Sequence, residues 1–294
     1  DRPVGESARV AAVRFAVNIP NFGPYADAAP VADLASIAEQ AGWDGFFVWD
    51  HIVVADGMPV GDPWVTLAAV ATATERITIG PMVTPLPRRR PWVIARQTVT
   101  LDRLSGGRLV LGVGIGVPAG LEFGTFGEPT GVRERAEMLD EALDVIVGMW
   151  SGEPFSYRGK HFQVAETTFM PKPVQRPRIP IWVAGTWPNR GPFRRAARFD
   201  GAFPLADDDG ATALIPPDGV AEVVAYVAEQ RDDDGGDYEI SAAIALTGNA
   251  DEDQRALADF AEAGVTWAQL GPNPEREETL DGVADWIAGG PPLL

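Results

Sequence analysis

Eight short apolar runs, each followed by a stretch patterned at helical spacing, succeed one another from Val13 to Ile287. The strand candidates are Val13–Ile19, Gly45–Trp49, Ile77–Gly80, Arg108–Val113, Pro180–Ala184, Gly201–Pro204, Glu239–Leu246 and Val265–Leu270. Most are continuous apolar runs, as expected of parallel strands covered on both faces. Helical patterns fill the gaps: Val31–Ala41, Trp64–Thr74, Trp92–Leu104 after the Pro91 start signal, Arg133–Trp150, Arg194–Arg198, Gly219–Gln230, Asp251–Ala263 and Leu280–Ala288. Within Arg133–Trp150, residues Ala136, Leu139, Leu143, Ile146, Val147 and Trp150 form an apolar stripe. Eight strands each followed by a helix fit a closed barrel better than an open sheet. The expected fold is α/β, a (β/α)8 TIM barrel forming one domain over residues 13–294, with residues 1–12 a flexible tail.

Two connections exceed a simple turn. Residues 114–130 follow strand four and are rich in Gly and Pro. Residues 151–178 follow helix four, and within them Phe155–Tyr157 and His161–Val164 flank Arg158-Gly159-Lys160 as a small hairpin. The first begins at the carboxyl end of a strand, where barrel enzymes build their sites, so it is the pocket candidate. The second begins at the opposite end.

Composition narrows the chemistry. The chain has no cysteine, which excludes disulfides, thiolate metal sites and a cysteine nucleophile. A net charge of −18 argues against nucleic acid and anionic membranes as partners. No apolar run approaches the roughly 20 residues that span a bilayer, and residues 1–10 lack a signal-peptide layout. Cytoplasm is the default compartment. Two histidines far apart supply no HxH or HExxH metal site. GxSxG, GxxxxGK[ST] and CxxC patterns are missing. Glu122 and Glu128 are loop carboxylates without a visible partner for glycosidase chemistry.

Chemistry in such a barrel belongs at the carboxyl ends of the strands. Those ends carry Asn21-Phe22, Asp50-His51, Met82-Val83-Thr84, Gly114 with Gly116, and Gly185-Thr186. Asp50-His51 is the most informative pair, because an imidazole exchanges protons near neutral pH and a neighbouring carboxylate can orient it. The bland reading of His51 is a structural histidine bonded to backbone. His161, in the hairpin, reads as structural or exposed. Gly112, Gly114 and Gly116 could let backbone approach a planar ring. Gly185-Thr186 before a helix expected over Asn189–Arg198, with Arg190, Arg194 and Arg195, reads as an anion site. Arg88-Arg89-Arg90 adds a second basic cluster on the same face. Trp49, Trp182 and Trp187 could line a pocket, although core packing is the commoner use of tryptophan.

These residues resemble a known family. Gly42 to His51 (GWDGFFVWDH) is similar to the strand-two signature of luciferase-like flavin oxidoreductases. Thr74 to Pro85, then Arg90-Pro91, resembles the same family's strand three and following helix. Thr100 to Leu109 (TLDRLSGGRL), followed by Leu111 to Gly114, is the most specific stretch. Pro173–Pro177, Pro180–Gly185 and Ala197–Gly201 continue the likeness, which covers residues 13–205 well and the remainder loosely.

The resemblance implies a barrel that holds coenzyme F420 or FMN in reduced form across its carboxyl-end face, commonly as a homodimer. It implies hydride transfer or monooxygenation on a small organic substrate. An Asp-His pair ending strand two looks like the F420 branch, so F420 is slightly favoured. His51 is then the proton donor or acceptor and Asp50 its orienting group. Asn21, Met82, Val83, Thr84, Gly114 and Gly116 would meet the ring or substrate, with a non-prolyl cis peptide at Met82-Val83. Gly185, Thr186 and Arg190 would hold phosphate, and the arginine clusters could meet the oligoglutamate tail of F420. No metal is implied. Where some relatives carry a loop glutamate as proton donor this chain has Val117, and after strand six it offers Leu205 and Asp207–Asp209. Either the phosphate site is rebuilt from Thr186 and Arg190 or the ligand is FMN. The rival readings are a flavin-binding protein without catalysis, motivated by Val117, and a hydrolase on the same scaffold.

Overall fold

In the computed structural model the described residues are 13–294 except 56, 209–210, 232–236 and 273–278. The expected tail at 1–12 and the acidic run 232–236 lie outside them. Strands β1 (Arg14–Ile19), β2 (Gly45–Val48), β3 (Thr78–Pro81), β5 (Leu111–Gly114), β8 (Ile181–Trp187), β9 (Gly201–Asp208), β11 (Glu239–Ala243) and β12 (Trp267–Leu270) correspond one for one to the expected runs. All pair in parallel, and β12 returns to β1 with Arg14 opposite Trp267.

The third barrel strand is split. β3 stops at Pro81, the Met82-Val83 peptide is cis where the family resemblance places it, and β4 (Thr84–Pro85) resumes the strand. Both halves reach the fourth barrel strand: Thr84 sits opposite Val113 and Ile79 opposite Leu109. That closes the barrel.

Side chains alternate between two destinations, as the pleat requires. Phe15, Val17, Ile19, Phe46 and Val48 face the surrounding helices. Ala16, Phe47, Met82, Val110, Trp182, Phe203 and Trp267 fill the interior. Phe47, Trp182 and Trp267 form an aromatic plug with centroids 5.5–6.0 Å apart. Gly45 makes room for it, since a Cβ there would lie 2.8 Å from both Phe47 and Trp267. Trp182 is therefore core.

The outer ring holds α1 (Ala28–Ala41), α2 (Pro63–Ala73), α3 (Pro91–Leu104), α5 (Val132–Trp150), α6 (Arg190–Ala196), α7 (Pro217–Gln230), α8 (Ala250–Glu262) and α9 (Leu280–Ala288). α6 starts where the Asn189–Arg198 reading puts it, four residues before the narrower Arg194–Arg198 pattern. Gly191-Pro192 suggests a loop, but a proline in the first turn removes only an N–H with no intrahelical partner. The loop after strand four contains α4 (Ala119–Glu122) and a 3-10 turn at Gly124–Phe126. The expected hairpin is β6 (Pro154–Arg158) with β7 (Gln163–Thr168), antiparallel. β9 runs past its expected end and folds back onto β10 (Ala211–Ala213).

Candidate active site

Asn21 ends the first strand's loop and governs the position of His51. Its Oδ1 accepts from the His51 backbone N–H at 3.0 Å, while its Nδ2 donates to the carbonyls of His51 at 2.9 Å and Gly61 at 2.6 Å. The amide expected at the ring is thus spent on holding two loops together, and Asn21 is buried. The imidazole it places is half-buried, with its side chain 23% exposed. Phe22 and Trp49 present their rings to it at 5.7 and 5.9 Å. Trp49 is therefore a wall of the mouth.

Asp50 does not orient His51. Successive residues on extended backbone point to opposite sides, and Asp50 is turned into the protein. Its Oδ1 accepts from Arg88 Nη2 and Arg89 Nη2, both at 2.7 Å, and its Oδ2 accepts from the Thr84 hydroxyl at 2.8 Å. Arg88 also donates to the Asp50 carbonyl at 2.6 Å. Thr84, expected at the ring, is fully buried on this carboxylate.

The partner of His51 is Glu122, at the end of α4. Its Oε1 lies 3.0 Å from His51 Nδ1. The same carboxylate accepts the Ile52 and Val53 backbone N–H groups at 3.2–3.4 Å and Arg88 Nη1 at 2.5 Å. Its side chain has no exposed surface. Burial works against ionisation, yet the His51 hydrogen bond, the Arg88 charge and the Ile52 N–H together hold the carboxyl below the usual carboxylate range. An anionic carboxylate can only accept. The proton between the two groups therefore sits on Nδ1, and Nε2 is the nitrogen left to exchange.

The loop carrying Glu122 is pinned from outside. Arg135 of α5 is buried and donates to the Ile115 carbonyl at 2.8 Å and to that of Gly116. Arg135 and Arg88 lie over the Phe123 ring at 4.8 and 6.0 Å. Gly116, at φ +80°, has no space for a side chain beside Phe123. A Cβ on Gly112 would strike the Pro81 carbonyl, and one on Gly114 would press on Val83. Strand packing accounts for these glycines.

At the fifth barrel strand, a Cβ on Gly185 would lie 2.3 Å from Pro192, so α6 packs directly on it. Arg190 is exposed and stacks over Tyr226 at 5.2 Å. Arg195 pairs with Asp140 of α5 and so leaves the anion site. Arg88 and Arg89 are likewise neutralised, so two of the three arginines of the expected basic cluster serve as internal counter-ions, while Arg90 is exposed. Met82 is buried in the barrel interior and Val83 is half-buried. Val117, the loop position the family resemblance associates with a carboxylate, is exposed. His161 lies 3.4 Å from Glu137 on the hairpin side, a structural place. Among the described residues no group of three His, Cys, Asp or Glu could hold a metal ion, and no helix is long and apolar enough to cross a membrane.

Sequence reasoning missed Glu122 as the partner of His51. Its only local signal is an acid set between Leu121 and Phe123 in a loop otherwise rich in Gly and Pro.

The family description of luciferase-like monooxygenases matches residues 13–286. An uncharacterized protein of Mycobacterium tuberculosis is 31% identical over 180 residues, covering 61% of this chain and 57% of its own length. The F420-dependent glucose-6-phosphate dehydrogenase of Microbacterium testaceum is 37% identical over 132 residues, 43% of this chain and 36% of that protein. The matched region thus spans little more than half of such relatives, or less. In fold, the chain is similar to an F420-dependent secondary alcohol dehydrogenase solved with an F420-acetone adduct, with a TM-score of 0.78, 19% identity, and 94% and 99% of the two chains covered.

Proposed function

Because the chain belongs to the luciferase-like monooxygenase family, we propose that it is an oxidoreductase that acts on a small organic molecule with reduced F420 or reduced FMN. F420 is the favoured cofactor, supported by the Asp50-His51 pair and by a relative named as F420-dependent. One observation carries the reading: a half-exposed imidazole at the barrel mouth, fixed at Nδ1 by a buried anionic carboxylate.

The residues present suit a flat redox ring. Phe22 and Trp49 give the mouth apolar walls beside His51. Among the described residues two buried acceptors, Asn18 Oδ1 and Gln269 Oε1, find no hydrogen-bond partner. Asn18 and Gln269 stand two residues beyond the interior-facing Ala16 and Trp267, hence on the same inner wall. The N–H edge of a deazaflavin or flavin would satisfy such acceptors. Thr186 and Arg190 would hold phosphate, since Arg190 has no carboxylate partner among the described residues, unlike Arg88, Arg89 and Arg195.

When bound, the reduced cofactor supplies a hydride or activates dioxygen. His51 takes or gives the accompanying proton at Nε2, while Glu122 holds Nδ1–H and stabilises the imidazolium when it forms. Asn21 and Asp50 keep the backbone of that loop in place. The rival non-catalytic reading rested on Val117, and Glu122 provides the loop with a carboxylate after all. We propose further that the protein acts as a homodimer through α2. That helix carries no charged residue from Pro63 to Ala73, and its exposed face includes Val65.

Titrating the protein with F420, FMN and reduced FMN, followed by fluorescence, tests the cofactor. Saturable binding of F420 is expected, with His51→Ala abolishing turnover yet changing affinity by no more than about tenfold. Failure of all three to bind would defeat the proposal.

A further inference from the structure

We infer that Arg88 is a positioning residue that decides which ring nitrogen of His51 carries the proton, and so whether the barrel mouth meets an acceptor or a donor. This rests on the reading of His51 given above, but it concerns a pair of contacts that the chemistry itself does not need. Among the described residues Arg88 alone bridges both carboxylates of the cluster: Nη1 reaches Glu122 and Nη2 reaches Asp50, and its side chain is 6% exposed.

The protonation state of Glu122 sets the tautomer of His51. A fully buried carboxyl tends to take up a proton rather than remain charged. Its permanent positive neighbour is Arg88, because a guanidinium does not deprotonate in proteins, whereas His51 carries charge only when protonated. With Arg88 present the carboxylate is an acceptor. Neutral His51 must then be the Nδ1–H tautomer, with the Nε2 lone pair free to take a proton. Without Arg88 a neutral carboxylic acid becomes the lower-energy state. It donates its O–H to the Nδ1 lone pair, and the ring proton moves to Nε2. The proton count of the pair rises by one, drawn from solvent, and the polarity of the exposed nitrogen reverses.

Charged and titratable groups around the ring come from four directions. Glu122 approaches from α4, Arg88 and Arg89 from the turn after β4, Asp50 from its own strand end, and Asp62 from the start of α2 on the adjoining cavity of about 280 Å³. Asp50 keeps Arg89 and Thr84 when Arg88 is replaced, so its charge remains compensated. Arg89 touches Asp50 but is not bonded to Glu122, which makes it the matched control.

The test is nitrogen NMR of the full chain with ring-labelled histidine. The protein has two histidines, so His161→Gln assigns the spectrum. At a pH where the His51 shifts have reached their neutral plateau, the native protein should show a protonated Nδ1 and a lone-pair Nε2. Arg88→Met and the more hydrophilic Arg88→Gln should shift the tautomer ratio toward Nε2–H by at least about tenfold. Arg88→Lys should restore the native pattern, and Arg89→Met should leave it intact. Glu122→Gln should lose the preference whichever residue stands at 88. The inference is overturned if Arg88→Met or Arg88→Gln keeps the native Nδ1–H pattern, or if Arg89→Met shifts it equally. Cofactor binding plays no part in this readout, so it stands or fails separately from the enzymatic reading.

Discussion

At the scale of single residues, one side-chain type does much of the structural work. Glu39, Glu122 and Glu141 each gather two or three consecutive backbone N–H groups from a distant segment. Asp102 does the same for Val174 and Gln175 at 2.6 and 3.3 Å, and its other oxygen takes Gln175 Nε2 at 2.7 Å. Asp102 lies in the TLDRLSGGRL stretch, the most family-specific part of the sequence, and it stands at the amino end of the barrel. That signature therefore records scaffold rather than chemistry. Asp102→Ala should lower unfolding free energy by about 2–4 kcal/mol, through unpaired buried amides, while a cofactor titration stays at its native value. Loss of binding would place Asp102 nearer the ligand than its contacts do. His51 was legible from the sequence because few residues of its type end a barrel strand. Its carboxylate was not. Adjacency pointed to Asp50, which faces inward, while Glu122 is brought in by a loop of 17 residues numbered 114–130 whose path follows from packing on Arg135 and Phe123.

At the scale of elements, the hairpin of β6 and β7 is an outer appendage held by α5. Glu141 accepts the Lys160, His161 and Phe162 N–H groups at 2.7–2.9 Å. Burial opposes its ionisation, but these three hydrogen bonds keep its carboxyl below the usual range. A carboxyl lowered in the folded state contributes stability that is present above its unfolded value, about 4.3 for Glu, and is lost as pH falls through the folded value. Protection factors of the 160–162 amides, referred to the intrinsic exchange rate at each pH, should therefore fall below about pH 4, and Glu141→Gln should bring that loss of protection to neutral pH. Protection unchanged in the variant would show that Phe155 and Phe162 alone hold the hairpin. The strands and most helices were legible because parallel barrel strands are apolar on both faces and their helices are amphipathic. The cis peptide at Met82-Val83 came only through resemblance, and the break it marks between β3 and β4 was not read from the sequence.

For the whole molecule, the barrel interior and the net charge set the terms. Phe47, Trp182 and Trp267 close the channel below the mouth, so Phe47→Ala should cost about 3–5 kcal/mol in urea unfolding. A loss under 1 kcal/mol would mean that the plug is not close-packed. The chain carries a net charge of −18, and of the site's arginines Arg88 and Arg89 are spent on buried carboxylates while Arg190 stays exposed. The uncharged α2 face predicts that sedimentation at micromolar concentration finds a dimer and that Val65→Lys shifts it toward monomer. A monomer before substitution would remove that proposal and leave the redox reading untouched.

In the redox reading proposed above, a tricyclic ring lies at the carboxyl-end mouth with His51 Nε2 facing it. The most direct measurement is a crystal structure of the protein soaked with F420. The account predicts the ring between the Phe22–Trp49 wall and the Met82-Val83 segment, with Nε2 within hydrogen-bonding reach of about 3 Å, directly or through one water. A ring bound elsewhere, or one seated at the mouth with the imidazole turned away from it, would contradict the account.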